Sequence, residues 1–188
     1  MKSTKLLSRE HRLILTALDH LETARRALER DLRPPAELFT RAVQFFRNFA
    51  DRFHHFKEEY LMFGLLAEKR DGEMDLASGV LRHEHERCRE HIQAMEDAIP
   101  GYAHGEEIAT ITLLENLAAY ISLLRRHIHK EEHTFFPLVE RSLSEPEDRD
   151  LHRRFRSEAE GAGGPNGGDA LSRYGEAVSE MGAMLEGM

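Results

Sequence analysis

Two stretches of the chain, HHFKEEYLMFGLL from His54 and HIHKEEHTFFPLV from His127, carry His, Lys, paired Glu, Phe and Leu in matching places, 127 − 54 = 73 residues apart. A second pair, EHRLIL and EHERCR, sets His11 and His85 apart by 85 − 11 = 74 residues. Within each half the two histidines are separated by 54 − 11 = 43 and 127 − 85 = 42 residues. The chain thus reads as two copies of a helical hairpin, each with His on its first helix and His-x-x-x-Glu on its second. Hairpins packed with approximate twofold symmetry would bring His11, His54, Glu58, His85, His127 and Glu131 to one place. Taken singly, a core-facing His is more often a hydrogen-bonded structural residue than a ligand. The repeat makes six convergent donors the better reading.

Four imidazoles and two carboxylates suit borderline divalent ions such as iron, manganese or zinc rather than oxygen-seeking calcium or magnesium. Two carboxylates in such a set suggest two metals, because each Glu can bridge both ions while each ion keeps two His. Iron is favoured over Mn or Zn, since that arrangement leaves room for a solvent-derived oxo or hydroxo bridge and a small ligand. Without metal the two glutamates repel, so metal binding is expected to stabilise the fold.

The elements that must position these groups are helices. Apolar residues recur at three and four: Leu7, Ile14, Leu18, Leu21, Leu28, and again Leu81, Cys88, Ile92, Met95, Ile99. Gly and Pro punctuation places long helices at roughly 8–31, 36–69, 75–99 and 106–142. The expected fold is all-α, an antiparallel up-down-up-down four-helix bundle over residues 1–143 with a helical extension over 144–188. Pro137 should kink or loosen the end of the fourth helix. In the extension, Ser144 and Glu147 form a capping pattern, GAGGPNGGD reads as a flexible linker, and Leu171, Tyr174, Val178, Met181 and Leu185 form a stripe suited to the bundle or a second subunit.

A turn of about 100° per residue divides the polar doublets. His54 and Glu58 fall among apolar neighbours, as do His127 and Glu131, His11 and His85. His55 and Glu59 fall on a hydrophilic strip with Asn48 and Arg52, where substitution is expected to cost little. His20, His83, His91, His104, His129, His133 and His152 likewise read as solvated or rim residues, and Cys88 as a small core hydrophobe.

Composition narrows the function classes. The net charge is −8 with no basic cluster among aromatics, which argues against a nucleic-acid or anionic-membrane surface. No run of 18 apolar residues occurs and the N-terminus is charged early, so neither a membrane span nor a signal peptide is expected, and the location is read as cytoplasmic. The single Cys88 excludes an internal disulfide and a thiolate-only metal site.

The HHFKEE and HIHKEE…FFPL segments, within a stretch of roughly residues 6–142, resemble the hemerythrin-like HHE cation-binding family. The resemblance implies a four-helix bundle around a non-haem di-iron centre, with Glu58 and Glu131 as bridges and His11, His54, His85 and His127 as terminal ligands. Oxygen-carrying hemerythrins have a further histidine one turn after the first ligand of the third helix, where this chain has Arg89. Their fourth-helix carboxylate also sits five residues after its histidine, against four here. The four-His, two-Glu set is instead similar to the di-iron domain of the repair-of-iron-centres proteins. Arg47 and Tyr120 each lie seven residues before a ligand candidate and read as tuning or gating residues, with plain packing the alternative for Tyr120. The expected function is reaction with, or sensing of, oxygen, peroxide or nitric oxide in redox or iron-stress chemistry, as an enzyme, a sensor or an iron-handling module. A homodimer and an iron-containing protein are the partners left open.

Overall fold

The computed structural model describes residues 1–69, 72–162 and 170–186, and no strand occurs among them. α1 spans Lys2–Leu28. α2 runs without a break over residues 36–67, α3 spans Gly72–Ala103, and α4 covers Glu107–Ser142. α5 (Glu145–Ala162) and α6 (Ala170–Ala183) complete the chain.

α1 begins earlier than the sequence pattern suggests because its first amides find a partner far along the chain. Asp148, at the start of α5, accepts from the backbone N–H of Lys2 and Ser3 at 3.0 and 3.1 Å and from the Ser3 hydroxyl at 2.5 Å. These are orphan donors that a helix start must satisfy, and a carboxylate there also complements the helix dipole. Burial raises the Asp148 carboxyl, but these hydrogen bonds outweigh it and hold the group below its usual value. Its contribution is therefore full above the ordinary carboxylate range and is lost as pH falls through the depressed value. Asp148→Ala is expected to lower stability by about 1–2 kcal/mol at pH 7, with a smaller penalty near pH 2, read by urea unfolding. An equal penalty at both pH values would refute the trans-cap.

α1 stops at Leu28, where Asp31 takes φ 60 and the amide of Leu32 returns to the carbonyl of Ala27. α3 instead passes through Pro100, beyond its expected end. Between α3 and α4, Gly105 adopts φ 83, and a side chain on Gly101 would stand 2.7 Å from Ala109 Cβ. Those two glycines let two long helices pack closely around a three-residue connection.

Two apolar clusters hold the helices. One gathers Ile14, Leu18, Phe39, Phe46, Leu117 and Leu124; the other gathers Leu7, Met62, Phe63, Leu81, Phe135 and Val139. Each fully buried side chain of this kind is worth roughly 1.5–3 kcal/mol, against about 0–1 for an exposed ion pair. The clusters therefore dominate. Leu7 and Ile14 stand one α1 turn either side of His11 and belong to different clusters, so a polar layer separates the two. By length and composition α4 could cross a membrane, yet its Leu113, Leu117 and Val139 are fully buried within the protein.

The extension packs on the same body. Leu151 and Phe155 of α5 enter one cluster, and Val178 and Met181 of α6 enter the other. Ser144 donates to Glu147 from both its amide and hydroxyl at 2.7 Å, closing the expected cap. The GAGGPNGGD linker falls mostly outside the described residues.

Candidate metal centre

The second helix of each repeat changes its winding where the paired glutamates stand. Lys57–Met62 in α2 and Glu131–Phe135 in α4 are π-helical turns, and α2 has a further π segment over Phe46–His55. Such turns often mark functional sites, because the extra residue re-aims side chains that an α-helix would direct elsewhere. Pro137 stands two residues past the turn in α4, whereas α2 makes its turn without a proline.

All six residues singled out by the repeat meet in the polar layer. His11, His54, Glu58 and Glu131 form one group whose donor atoms all lie within 4.8 Å of one another; His85, His127 and Glu58 belong to a second, with His55. Each of the six is buried to 1 % exposure or less. His54 Nε2 lies 3.4 Å from Glu58 and His127 Nε2 3.1 Å from Glu131 within their own helices. Across helices, His11 Nε2 lies 3.2 Å from Glu131 and His85 Nε2 3.6 Å from Glu58. The imidazole pairs repeat as well: His11 and His54 have ring centroids 4.6 Å apart at 61°, His85 and His127 4.6 Å apart at 66°.

The other ring nitrogen of each histidine is held by a carboxylate, again in duplicate. His54 Nδ1 meets Glu10 at 2.8 Å and His127 Nδ1 meets Glu84 at 3.0 Å. His11 Nδ1 meets Glu132 at 2.7 Å and His85 Nδ1 meets Glu59 at 2.6 Å. With Nδ1–H donating outward, Nε2 of each ring is turned to the centre, which is how metal-binding imidazoles are usually oriented.

Inside that ring of donors, both oxygens of Glu58, both of Glu131 and His11 Nε2 satisfy no hydrogen bond despite complete burial. Facing His85 and His127 nitrogens lie 3.0 Å apart. Buried acceptors without donors are costly, and divalent cations would resolve all of these contacts together. The donor set therefore fits borderline metal binding.

This layout coincides with a match to the family described as hemerythrin HHE cation-binding domain, covering residues 2–139. The chain belongs to that family. Among curated proteins it is similar to uncharacterised proteins of Mycobacterium tuberculosis and Mycobacterium bovis, each 29% identical over 152 residues. The alignment covers 81% of this chain but 59% of theirs, so the chain spans about three-fifths of the relatives it matches. No solved structure matches it.

The HHE domain departs from the sequence reading at His55 and Glu59. His55 is not on a solvated strip: it is 3 % exposed, and its ring stacks on His85 with centroids 3.7 Å apart at 13°. Glu59 is not a bystander either, since it holds both His85 and Arg89, the latter at 2.8 Å. The cause is the π winding from Phe46 onward, which advances each residue through a smaller angle than the 100° assumed. By His55 the accumulated lag has moved that side chain inward. Glu10 and Lys57 are also buried, and they pair with each other beside His54. The EH doublet repeated at Glu10–His11 and Glu84–His85 carried the signal for Glu10 and Glu84. The remaining rim histidines are exposed or half-buried.

Without metal the charges settle unevenly. Burial pushes the Glu58 carboxyl far up, and the neighbouring Glu131 adds to this. Burial acts on Glu131 too, but His127 and His11 stand closer to it and hold it well below the usual range. The two imidazoles rise in return, His127 to about 9 against burial through Glu131 and Glu84. Burial and neighbouring imidazoles push His54 and His85 down. Metal would have to displace the protons on Glu58, His11 and His127, so its affinity should fall in acid. Cys88 is raised by burial to about 12 and remains a thiol, which suits a packing role rather than a nucleophile.

Proposed function

We propose that the chain is a non-haem di-iron protein, with four of its helices acting as an antiparallel up-down-up-down bundle around two ions. The single observation that carries this is the duplicated set of buried donors, each His steadied by its own carboxylate around orphaned Glu58 and Glu131 oxygens. In this reading His11 and His54 would hold one ion and His85 and His127 the other, with Glu58 and Glu131 available to both. His55 would offer that second ion a third imidazole, from α2 rather than from the α3 position of Arg89. Bound iron would supply Lewis acidity and electrons toward a small oxidant such as oxygen, peroxide or nitric oxide. The chain's own contribution is to hold each Nδ1 so that four Nε2 atoms are turned to the centre, exclude bulk water with two apolar clusters and set the local charge.

A sensing version of the same centre is favoured by one contact: Phe155 of α5 is fully buried in the cluster beside the site, so a change there can reach the extension. Protein purified from iron-supplied cells should contain two irons per chain and show near-ultraviolet charge-transfer absorption that changes with peroxide or nitric oxide. Protein without transition metal after such preparation would refute the reading. Sensing adds faster proteolysis within residues 145–186 upon that change; turnover with unchanged proteolysis favours direct chemistry.

A further inference from the structure

The internal repeat provides a control for every position, and one region breaks it. A cavity of about 220 Å³ opens between α2 and α3. Its floor is made by the buried His55, Cys88 and Tyr120, and exposed Arg52 and Gln93 stand at its mouth. The repeat-equivalent place is the contact between α4 and α1. There Ala50 corresponds to Leu123, Asp51 to Leu124 and His55 to Ile128, while Cys88 corresponds to Ile14 and Arg89 to Leu15. Ile14, Leu124 and Ile128 are buried, and Leu15 and Leu123 pack against the same cluster. One half of the molecule thus fills this space with aliphatic side chains. The other half winds this stretch as the π segment Phe46–His55 where α4 is α-helical, sets Ala50, Asp51 and His55 against Cys88 and Arg89, and leaves a chamber.

Water reaches such an open chamber and wets its apolar walls, so a ligand body that displaces that water gains the burial the other half obtains from its aliphatic side chains. The space equals roughly seven times the volume of a liquid water molecule, more than a diatomic gas or hydrogen peroxide needs. Its walls have two characters. Phe46 and Ile92 give apolar surface, with the Tyr120 ring set edge-on to Phe46 at 5.0 Å. Cations dominate the rim. Arg89 is satisfied by Asp51, Glu59 and Glu86, and Arg47 by Glu96 at 2.6 Å. Among the described residues Arg52 meets no carboxylate within ion-pair distance, only Asn48 at 3.4 Å. It is the charge on the rim left for a ligand.

We propose that this cavity binds a small organic monoanion, its apolar body between Phe46, Ile92 and Tyr120 and its carboxylate-type head at Arg52. The binding site lies one stacked imidazole away from His85, with His55 as the partition. It goes beyond the metal reading and does not rest on it: His55 in the floor is shared with that reading, but the groups named for the ligand, Phe46, Ile92, Tyr120 and Arg52, are not among the residues proposed to hold metal.

Benzoate is a suitable probe, with benzylammonium as the same body bearing the opposite charge. Calorimetric titration of the full chain, both iron-loaded and chelator-treated, should give saturable binding of benzoate and none of benzylammonium. Ala50→Leu, which installs the residue of the other repeat, should weaken benzoate at least about tenfold, or 1.4 kcal/mol, while melting temperature and metal content stay unchanged. Arg52→Glu, at an exposed position that does not threaten folding, should weaken it similarly, with Arg52→Lys retaining part of the affinity. The proposal is overturned if benzoate gives no saturable heat, if Ala50→Leu or Arg52→Glu binds it as wild type does, or if benzylammonium binds equally. Failure of the di-iron reading would show instead as absent iron with benzoate binding intact.

Discussion

Glu131→Gln is expected to destabilise the metal-free protein by about 3 kcal/mol at pH 6, whereas Glu58→Gln should change it by less than about 1 kcal/mol. These residues are equivalent in the repeat and equally buried, so the difference tests the charge distribution rather than burial. Glu131 is the carboxylate that balances His11 and His127 at 3.2 and 3.1 Å; its amide would leave imidazolium groups in a dry interior. Glu58 is already driven toward its neutral form by burial and by Glu131, and a glutamine there is nearly isosteric. The folded value of His127, about 9, lies above its ordinary 6.5, so its contribution is complete below about pH 6.5 and is lost as pH rises through 9. The Glu131→Gln penalty should therefore shrink markedly between pH 6 and pH 9.5 in urea melts of chelator-treated protein. On the proposed di-iron reading the distinction should vanish in iron-loaded protein: either substitution would remove a carboxylate available to both ions and should lower iron content to one per chain or less. Equal apo penalties for the two variants, or full iron content in both, would contradict this account.

The meeting of six donors in one layer was legible because a repeat places constraints on a sequence that a single motif does not. Two EH doublets and two His-x-x-Lys-Glu-Glu segments, at nearly constant separation, leave few folds in which only one copy is used. What the residues did not reveal is the winding of α2. An ideal wheel places His55 beside Asn48 and Arg52, and the π segments carry it inward to His85. Nothing in FRNFADRFHH differs from an ordinary amphipathic helix, since π turns reflect tertiary demand at the site more than local propensity. The trans-cap at Asp148 was hidden for a related reason: it joins residues 145 positions apart. Lys57 shows the limit of residue-type rules, because a lysine is placed outside unless its partner is known, and Glu10 lies on another helix. Its asymmetry with Lys130 follows from cover, as α5 packs beside α2 while the corresponding face of α4 stays open.

That asymmetry separates stability from metal affinity. Glu10→Ala is expected to cost about 3–5 kcal/mol in the metal-free protein, because Lys57, fully buried with its ammonium 3.5 Å from the Phe53 ring, would lose its carboxylate. Glu84→Ala removes the repeat-equivalent group, yet Lys130 is 40% exposed and can be rehydrated, so the cost should stay within about 1 kcal/mol. Both carboxylates do the same thing for the centre, each holding one Nδ1 so that Nε2 points inward. Both variants should therefore lose roughly 10–100-fold in iron affinity, measured by competition with a chelator. The double variant Glu10→Ala with Lys57→Met removes the stranded charge along with its partner. It should recover most of the unfolding free energy while keeping the weakened affinity, since His54 still lacks its acceptor. If affinity returned together with stability, Glu10 would act only through folding, and its hydrogen bond to His54 would be incidental. If Glu84→Ala bound iron as tightly as wild type, the carboxylate behind each imidazole would not be what orients it.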